Sequence, residues 1–235
     1  MAIFAIGDLH LSFGEDKPMD IFGDQWALHY EKVKMDWLMR VTDEDVVILP
    51  GDTSWAMSFE RAKVDLEWID ALPGRKIIFK GNHDYWWSSL SKMEGQYKTL
   101  TFVHNTFAVV GDLAICGTRG WTCPNTTKFD VDDDKIYRRE GIRLETSLKQ
   151  AVDKGYKNII GVLHYPPTND LLEPSIFTKL MSQYGVQNVI YGHVHGKAFY
   201  KMALQGLYEG VKYQLTSCDY LDFKLYELER EICEK

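Results

Sequence analysis

The stretch Lys80-Gly81-Asn82-His83-Asp84-Tyr85-Trp86-Trp87, KGNHDYWW, follows a short run that is apolar at its centre, Arg75-Lys76-Ile77-Ile78-Phe79. Pro73-Gly74 precedes that run, which therefore reads as a strand leaving a turn. Gly81 lets the chain bend, and an amide, an imidazole and a carboxylate then occupy adjacent positions. Two readings compete. Asn82 or Asp84 can cap a helix that starts near Tyr85. Alternatively, the three polar groups face a site at the end of a buried strand. The ends of the other strands decide between them.

Outward from this point the first part of the chain alternates strand and helix. Residues 2–7 read as a strand. Trp26, Tyr30, Val33, Trp37 and Val41 recur at three- and four-residue steps, which predicts an amphipathic helix over 26–41. Val46-Val47-Ile48-Leu49 is a buried strand closed by Pro50-Gly51, and Phe59, Ala62, Leu66 and Ile69 line one face of a second helix. With the strand at 75–80 the order is β-α-β-α-β, which implies a largely parallel sheet covered by helices. Farther on, Phe107–Val110 and Leu113–Cys116 are separated only by Gly111-Asp112, the signal of an antiparallel hairpin. A polar loop over 117–131 leads to a helix at 135–152, with the acidic run 130–134 favouring its positive end. Strands are expected at 158–163 and 187–191 with a helix near 175–184 between them, then at 211–216 and 223–228. No repeat, low-complexity tract or linker interrupts residues 1–235, so one domain of two packed sheets with helices outside is expected.

Composition narrows the function. Apolar residues make up 45% of the 235 residues and charged ones 26%, as in an ordinary soluble protein with a sizeable core. A formal charge of −7 argues against an electrostatic grip on nucleic acid, although bound cations can reverse the sign of a site locally. No apolar run is long enough to span a membrane, and the N-terminus enters a strand without a signal-type segment, so a cytoplasmic protein is expected. Cys116, Cys123, Cys218 and Cys233 form no CxxC pair and read as structural thiols, Cys116 as a small packed hydrophobe.

The downstream ends of the expected parallel strands carry the chemistry. They run into Gly7-Asp8-Leu9-His10, Gly51-Asp52, Gly81-Asn82-His83-Asp84, His164, and Gly192-His193-Val194-His195. Ligands of open α/β sheets bind outside the carboxyl ends of the strands. Asp8, His10, Asp52, Asn82, His164, His193 and His195 are too many ligands for one tetrahedral ion, but suit two ions sharing a carboxylate. The donor types favour Mn, Fe, Zn or Ni, and a pair of such cations clamps phosphoryl oxygen. In DLH and HVH, alternate residues face one pocket if the chain is extended there. The helix-cap reading of residues 82–84 loses to this set.

In this order, DLH, GD, GNHD, a lone His and GHVH resemble the five signature blocks of the calcineurin-like metallophosphoesterase superfamily, spanning Asp8 to His195. The resemblance implies an α/β fold, a four-layer α/β/β/α sandwich, around a dinuclear centre. It implies that Asp8, His10 and His195 hold one metal, that Asn82, His164 and His193 hold the other, and that Asp52 bridges them. A hydroxide shared by the two metals would attack phosphorus. It further implies that His83 protonates the leaving alkoxide, with Asp84 as its natural orienting partner.

Further expectations attach to single residues. Arg119, just beyond a strand end, is a candidate to clamp a phosphate oxygen. Trp86 and Trp87 read as core, His29 as lying on a polar helix face and His104 as lying in a loop. Pro166-Pro167 stiffens the loop after His164. The expected activity is that of a phosphoesterase acting on a small phosphoester or nucleotide. A phosphodiester is preferred over a monoester or phosphoanhydride, because an acid at His83 most helps a poor leaving group. A metal-binding scaffold of the same fold is the rival, opposed by the presence of every ligand and of His83. Loops 11–25 and 117–135 are expected to set specificity.

Overall fold

The computed structural model describes residues 1–125 and 129–229; part of the 117–131 loop, Cys233 and the end of the chain lie outside them. Elements are numbered in chain order. One sheet has the order β11 (Tyr226–Glu227), β1 (Ile3–Ala5), β2 (Val46–Leu49), β3 (Arg75–Phe79) and β4 (Leu100–Val103), parallel except at β11. The other has the order β5 (Phe107–Val110), β6 (Leu113–Thr118), β7 (Asn158–Leu163), β8 (Asn188–Tyr191), β10 (Val211–Leu215) and β9 (Gly206–Tyr208). In it β6, β7, β8 and β10 are parallel, and the β5–β6 hairpin and β9 add antiparallel edges. The helices are α1 (His29–Arg40), α2 (Phe59–Asp70), α3 (Leu90–Met93), α4 (Val131–Asp153) and α5 (Ile176–Gln183).

Alternation within the strands builds the layers. Ile3, Ala5, Val46, Ile48, Ile77 and Phe79 share one buried cluster with Ile115, Ile160, Val162 and Ile190, which is the seam between the two sheets. Their neighbours Phe4, Val47, Leu49 and Ile78 point the other way, against Val33 and Trp37 of α1 and Ala62 and Leu66 of α2. On the second sheet Ala114, Ile159 and Val189 meet Leu144 and Leu148 of α4 and Phe177 of α5. Each central strand is apolar on both faces because each face is covered. The arrangement is the expected α/β/β/α sandwich of two mixed sheets flanked by helices.

Several expectations change locally. Trp26 closes a short 3-10 turn, Asp24–Trp26, and the helix begins only at His29, after Leu28 adopts φ 50°. His29 is buried rather than on a polar face, and its Nε2 lies 2.8 Å from the Leu9 carbonyl oxygen. The acidic run is part of α4: Asp130 caps it, accepting from the Asp132 and Asp133 amides, so the helix starts at Val131. The strand expected at 223–228 shortens to Tyr226–Glu227, because Asp222 and Phe223 lie in the left-handed region. Strand β4, the single-turn α3 and the exposed β9 carry too short a pattern to be read from periodicity. Among the described residues, no helix is long and apolar enough to cross a membrane.

Candidate metal centre

The carboxyl ends of β1, β2, β3, β7 and β8 meet at one edge of the seam, where the two sheets are stitched together. The Gly7 amide donates to the Thr216 carbonyl at 2.7 Å, and the Asp8 and His10 amides donate to the carbonyls of Gly51 and Asp52. The chain is not extended here. Asp8, His10, Asp52 and His193 have φ of 58°, 45°, 50° and 73°, a region that costs a non-glycine residue about 1–2 kcal/mol. The expected sharing of a pocket by alternate extended residues is therefore replaced by left-handed turns that throw each side chain back across the strand ends. Strain of this kind persists where surrounding bonds over-determine it.

Two glycines of the quoted blocks are explained by crowding. A Cβ on Gly81 would lie 2.1 Å from Asp52 Oδ1, and one on Gly192 would lie 2.5 Å from Asp8 Oδ2. Asp84 corrects an expectation. Its carboxylate is fully buried and accepts from the amides of Gly81, Asp52, Thr53 and Ser54 and from Trp86 Nε1, with no bond to His83. It ties the Asp52 turn to the Asn82 turn and does not orient His83. The His83 amide instead donates to Asp52 Oδ1 at 2.7 Å. The His83 ring is half-buried against Trp55, with centroids 4.4 Å apart, and burial lowers its pKa.

The remaining side chains converge. One ligand atom from each of Asp8, His10 and His195 forms a group within 4.8 Å, and Asp8, Asp52 and His164 form a second group with the same spread. Asp52 Oδ2 lies 3.8 Å from His10 Nε2 and 3.4 Å from His164 Nε2, so it also reaches both groups. Asn82 Oδ1 stands 2.6 Å from His164 Nε2 and 3.0 Å from His193 Nδ1, and those two ring nitrogens are 3.3 Å apart. Burial keeps the imidazoles neutral: it pulls His164 down to about 3, His193 to about 4 and His10 well below its usual range. Burial also raises Asp52, reinforced by the Asp84 and Asp8 carboxylates. For Asp8, burial is outweighed by the His195, His164 and His10 imidazoles, which hold its carboxyl low. His195 is pushed up to about 10, because the Asp8 and Asp219 carboxylates outweigh burial.

This donor set fits divalent cations. The neutral imidazoles of His10, His164 and His193 offer free lone pairs, His195 would give up a proton to a cation, and three oxygens converge with them, as metal binding requires. Among the described residues no thiolate joins them: Cys218 Sγ is engaged with the Asp8 carbonyl at 2.9 Å, and burial raises its pKa.

Asp219 was not singled out from the sequence. It follows β10, which also ends at this edge, and its Oδ1 lies 2.8 Å from His195 Nδ1. Its Oδ2 accepts from the Gly196 amide at 3.1 Å and from the Tyr200 hydroxyl at 2.7 Å. The rule that found the ligands, polar residues just after a parallel strand, applies equally to Thr216-Ser217-Cys218-Asp219. Arg119 is brought to this edge only by its backbone, whose carbonyl accepts from the His164 and Tyr165 amides. Its guanidinium turns toward Glu140, 3.7 Å away, and over the Trp121 ring. Trp86 is core, as expected, and His104 lies in a loop.

An α/β/β/α sandwich that gathers imidazoles and carboxylates at one edge of its seam is a protein built to hold divalent cations there. The profile of the family described as Calcineurin-like phosphoesterase matches residues 1–197, and the chain belongs to that family. Among solved structures it is similar to the phosphopantetheinyl hydrolase of Mycobacterium tuberculosis, at 13% identity and TM-score 0.59, over 100% of this chain and 98% of that one. It is also similar to a protein of unknown function from Aquifex aeolicus, at 14% identity and TM-score 0.52, over 96% and 95% of the two chains. The sulfate thiohydrolase SoxB of Thermus thermophilus shares 13% identity at TM-score 0.50, over 92% of this chain and 51% of that one. No curated protein matches the sequence.

Proposed function

We propose that this protein hydrolyses a phosphodiester at a dinuclear metal centre. The observation that carries the reading is the convergence of Asp8, His10, Asp52, His164 and His195 into two groups within 4.8 Å, with Asn82 and His193 against His164 and with His83 beside them. Asp8, His10 and His195 would hold one cation, Asn82, His164 and His193 the other, and Asp52 would lie between them. Two divalent cations so held would neutralise phosphoryl oxygens and supply a shared hydroxide nucleophile.

The chain's own contribution is positioning and proton transfer. Oxygen from water bonds to phosphorus while the P–O bond to the leaving group breaks and its electron pair stays on the departing oxygen. His83, on the rim of the cluster with its ring 5.8 Å from that of His10, gives that oxygen its proton, leaving a monoester and an alcohol. A diester is favoured over a monoester because two cavities, not one, open from His193 and His195.

The test is turnover of bis(4-nitrophenyl) phosphate and 4-nitrophenyl phosphate by manganese-loaded protein. The diester should be the faster substrate, and Asp52→Asn should abolish hydrolysis. His83→Ala should reduce kcat by about 10²–10⁴-fold while leaving metal content unchanged. A faster monoester would reverse the preference, and collapse of metal content in His83→Ala would remove His83 from its role.

A further inference from the structure

The two cavities at the centre differ from the ligand cluster in character. The first, about 320 Å³, shares His10, Asp52, His83, His193 and His195 with the cluster, and its outer wall is Met19, Phe22, Trp26 and Trp55. The second, about 380 Å³, also starts at His193 and His195 and runs along Pro166, Asn169, Phe199 and Met202. Phe22 and Phe199 are 60% and 55% exposed, so each cavity has an aromatic ring at its mouth that the core does not need.

The charges in these cavities are as informative as the rings. Among the described residues, no lysine or arginine lines either one; the fixed charges beyond the ligands are the carboxylates of Asp219 in the first and Asp170 in the second. Lys17 is the cation nearest the first cavity, its Nζ over the Trp55 ring, 4.9 Å from the centroid, where its charge is felt by His83. Sites that bind several phosphates supply donors and cations for each one. Among the described residues, a second phosphate would meet aromatic carbon and a carboxylate in the second cavity, and in the first only Lys17 beside aromatic carbon and a carboxylate.

Resting on the phosphoesterase reading, we propose that the substrate is a phosphodiester with a single phosphorus between two uncharged substituents. One is an apolar or aromatic group held between Met19, Phe22, Trp26 and Trp55, and the other lies along Phe199 and Met202. Apolar cavities of this size, with a few convergent polar groups, are what small organic ligands occupy. The same lining disfavours nucleoside polyphosphates, whose extra charges would have one nearby cation, Lys17, to balance them among the described residues.

Three probes test this with manganese-loaded protein: bis(4-nitrophenyl) phosphate, methyl 4-nitrophenyl phosphate and ADP. The two diesters share a leaving group and differ only in the retained arm. After division by the uncatalysed rates, kcat/KM for the bis-aryl ester should be about tenfold or more the higher, the worth of burying one ring. ADP should release phosphate far more slowly than either. Phe22→Ala and Phe199→Ala, at exposed positions, should lower the ratio between the two diesters. Equal kcat/KM for both diesters, a ratio unmoved by both variants, or ADP as the fastest substrate would overturn the proposal. Diester hydrolysis lost in Asp52→Asn would still uphold the phosphoesterase reading in those cases. Failure of every probe with manganese bound would remove both.

Discussion

Asp219 acts on the centre through another residue. Its carboxylate is spent on three donors, and the one that matters is His195 Nδ1, because a proton fixed there means that the proton a cation displaces is the one on Nε2, which faces Asp8 3.7 Å away. Carboxylates that back a ligating histidine in this way set its tautomer and raise its basicity. Asp219→Ala should therefore weaken manganese binding about 10–100-fold by isothermal titration calorimetry. Asp219→Asn, which keeps an acceptor oxygen, should restore most of that affinity, whereas a purely structural role would show no such rescue. Asp84 shows the opposite case at the same scale: a carboxylate beside the expected acid that spends its lone pairs on backbone amides. In the sequence only Asp84 stands beside a histidine; Asp219 comes 24 residues after His195. Their roles separate only when hydrogen-bond partners are known.

Among the elements, β3 combines the centre with an unusual strand residue. Lys76 sits inside it and is fully buried, its Nζ donating to the Leu72 carbonyl, to the Asp70 carbonyl at 3.3 Å and to Thr99 Oγ1 at 3.0 Å. The amine thus ties the end of α2 to the start of β4 and holds in place the strand that delivers Asn82 and His83. Burial draws its pKa down to about 8, with Asp70 and Asp43 pulling the other way. A lysine in an unfolded chain titrates near 10.4, so between these values the unfolded state binds more protons than the folded one, and stability rises with pH. Urea midpoints should climb from pH 8 toward pH 10 in the parent protein and less so in Lys76→Met. Equal slopes in the two proteins would show that Lys76 does not contribute. The strand itself was legible from its apolar centre; the use of Lys76 as a buried tie was not, since a lysine in a short run reads as exposed.

Across the whole molecule, the centre is a place where folding gathers groups that resist being together. Asp8, Asp52 and Asp84 are all buried, as are His10 and His164, at an edge where several backbone residues are left-handed. Cations bound there would relieve that crowding and should stabilise the fold as a whole. Saturation at about one hundred times Kd adds about 2.7 kcal/mol per site, which raises Tm by several degrees in a chain of this length. Calorimetry with manganese against chelator should show that rise. Asp8→Asn, which alters the carboxylate shared by both groups, should remove most of it. A Tm indifferent to manganese would leave the centre without its metal.

The sequence by itself determined the layered α/β sandwich and the identity of the seven ligand-type residues. Apolar runs covered on both faces must be central strands, and polar groups placed just after such strands must gather at their carboxyl ends. The tertiary structure alone decided how those groups face one another. Left-handed turns, not extended alternation, aim Asp8, His10, Asp52 and His193, because bonds between the two sheets hold the chain there and no local pattern encodes them. It likewise decided that Asp84 braces, that Asp219 backs His195, that the Arg119 side chain turns to Glu140, and that aromatic rings line the approach, since each depends on partners distant in the chain.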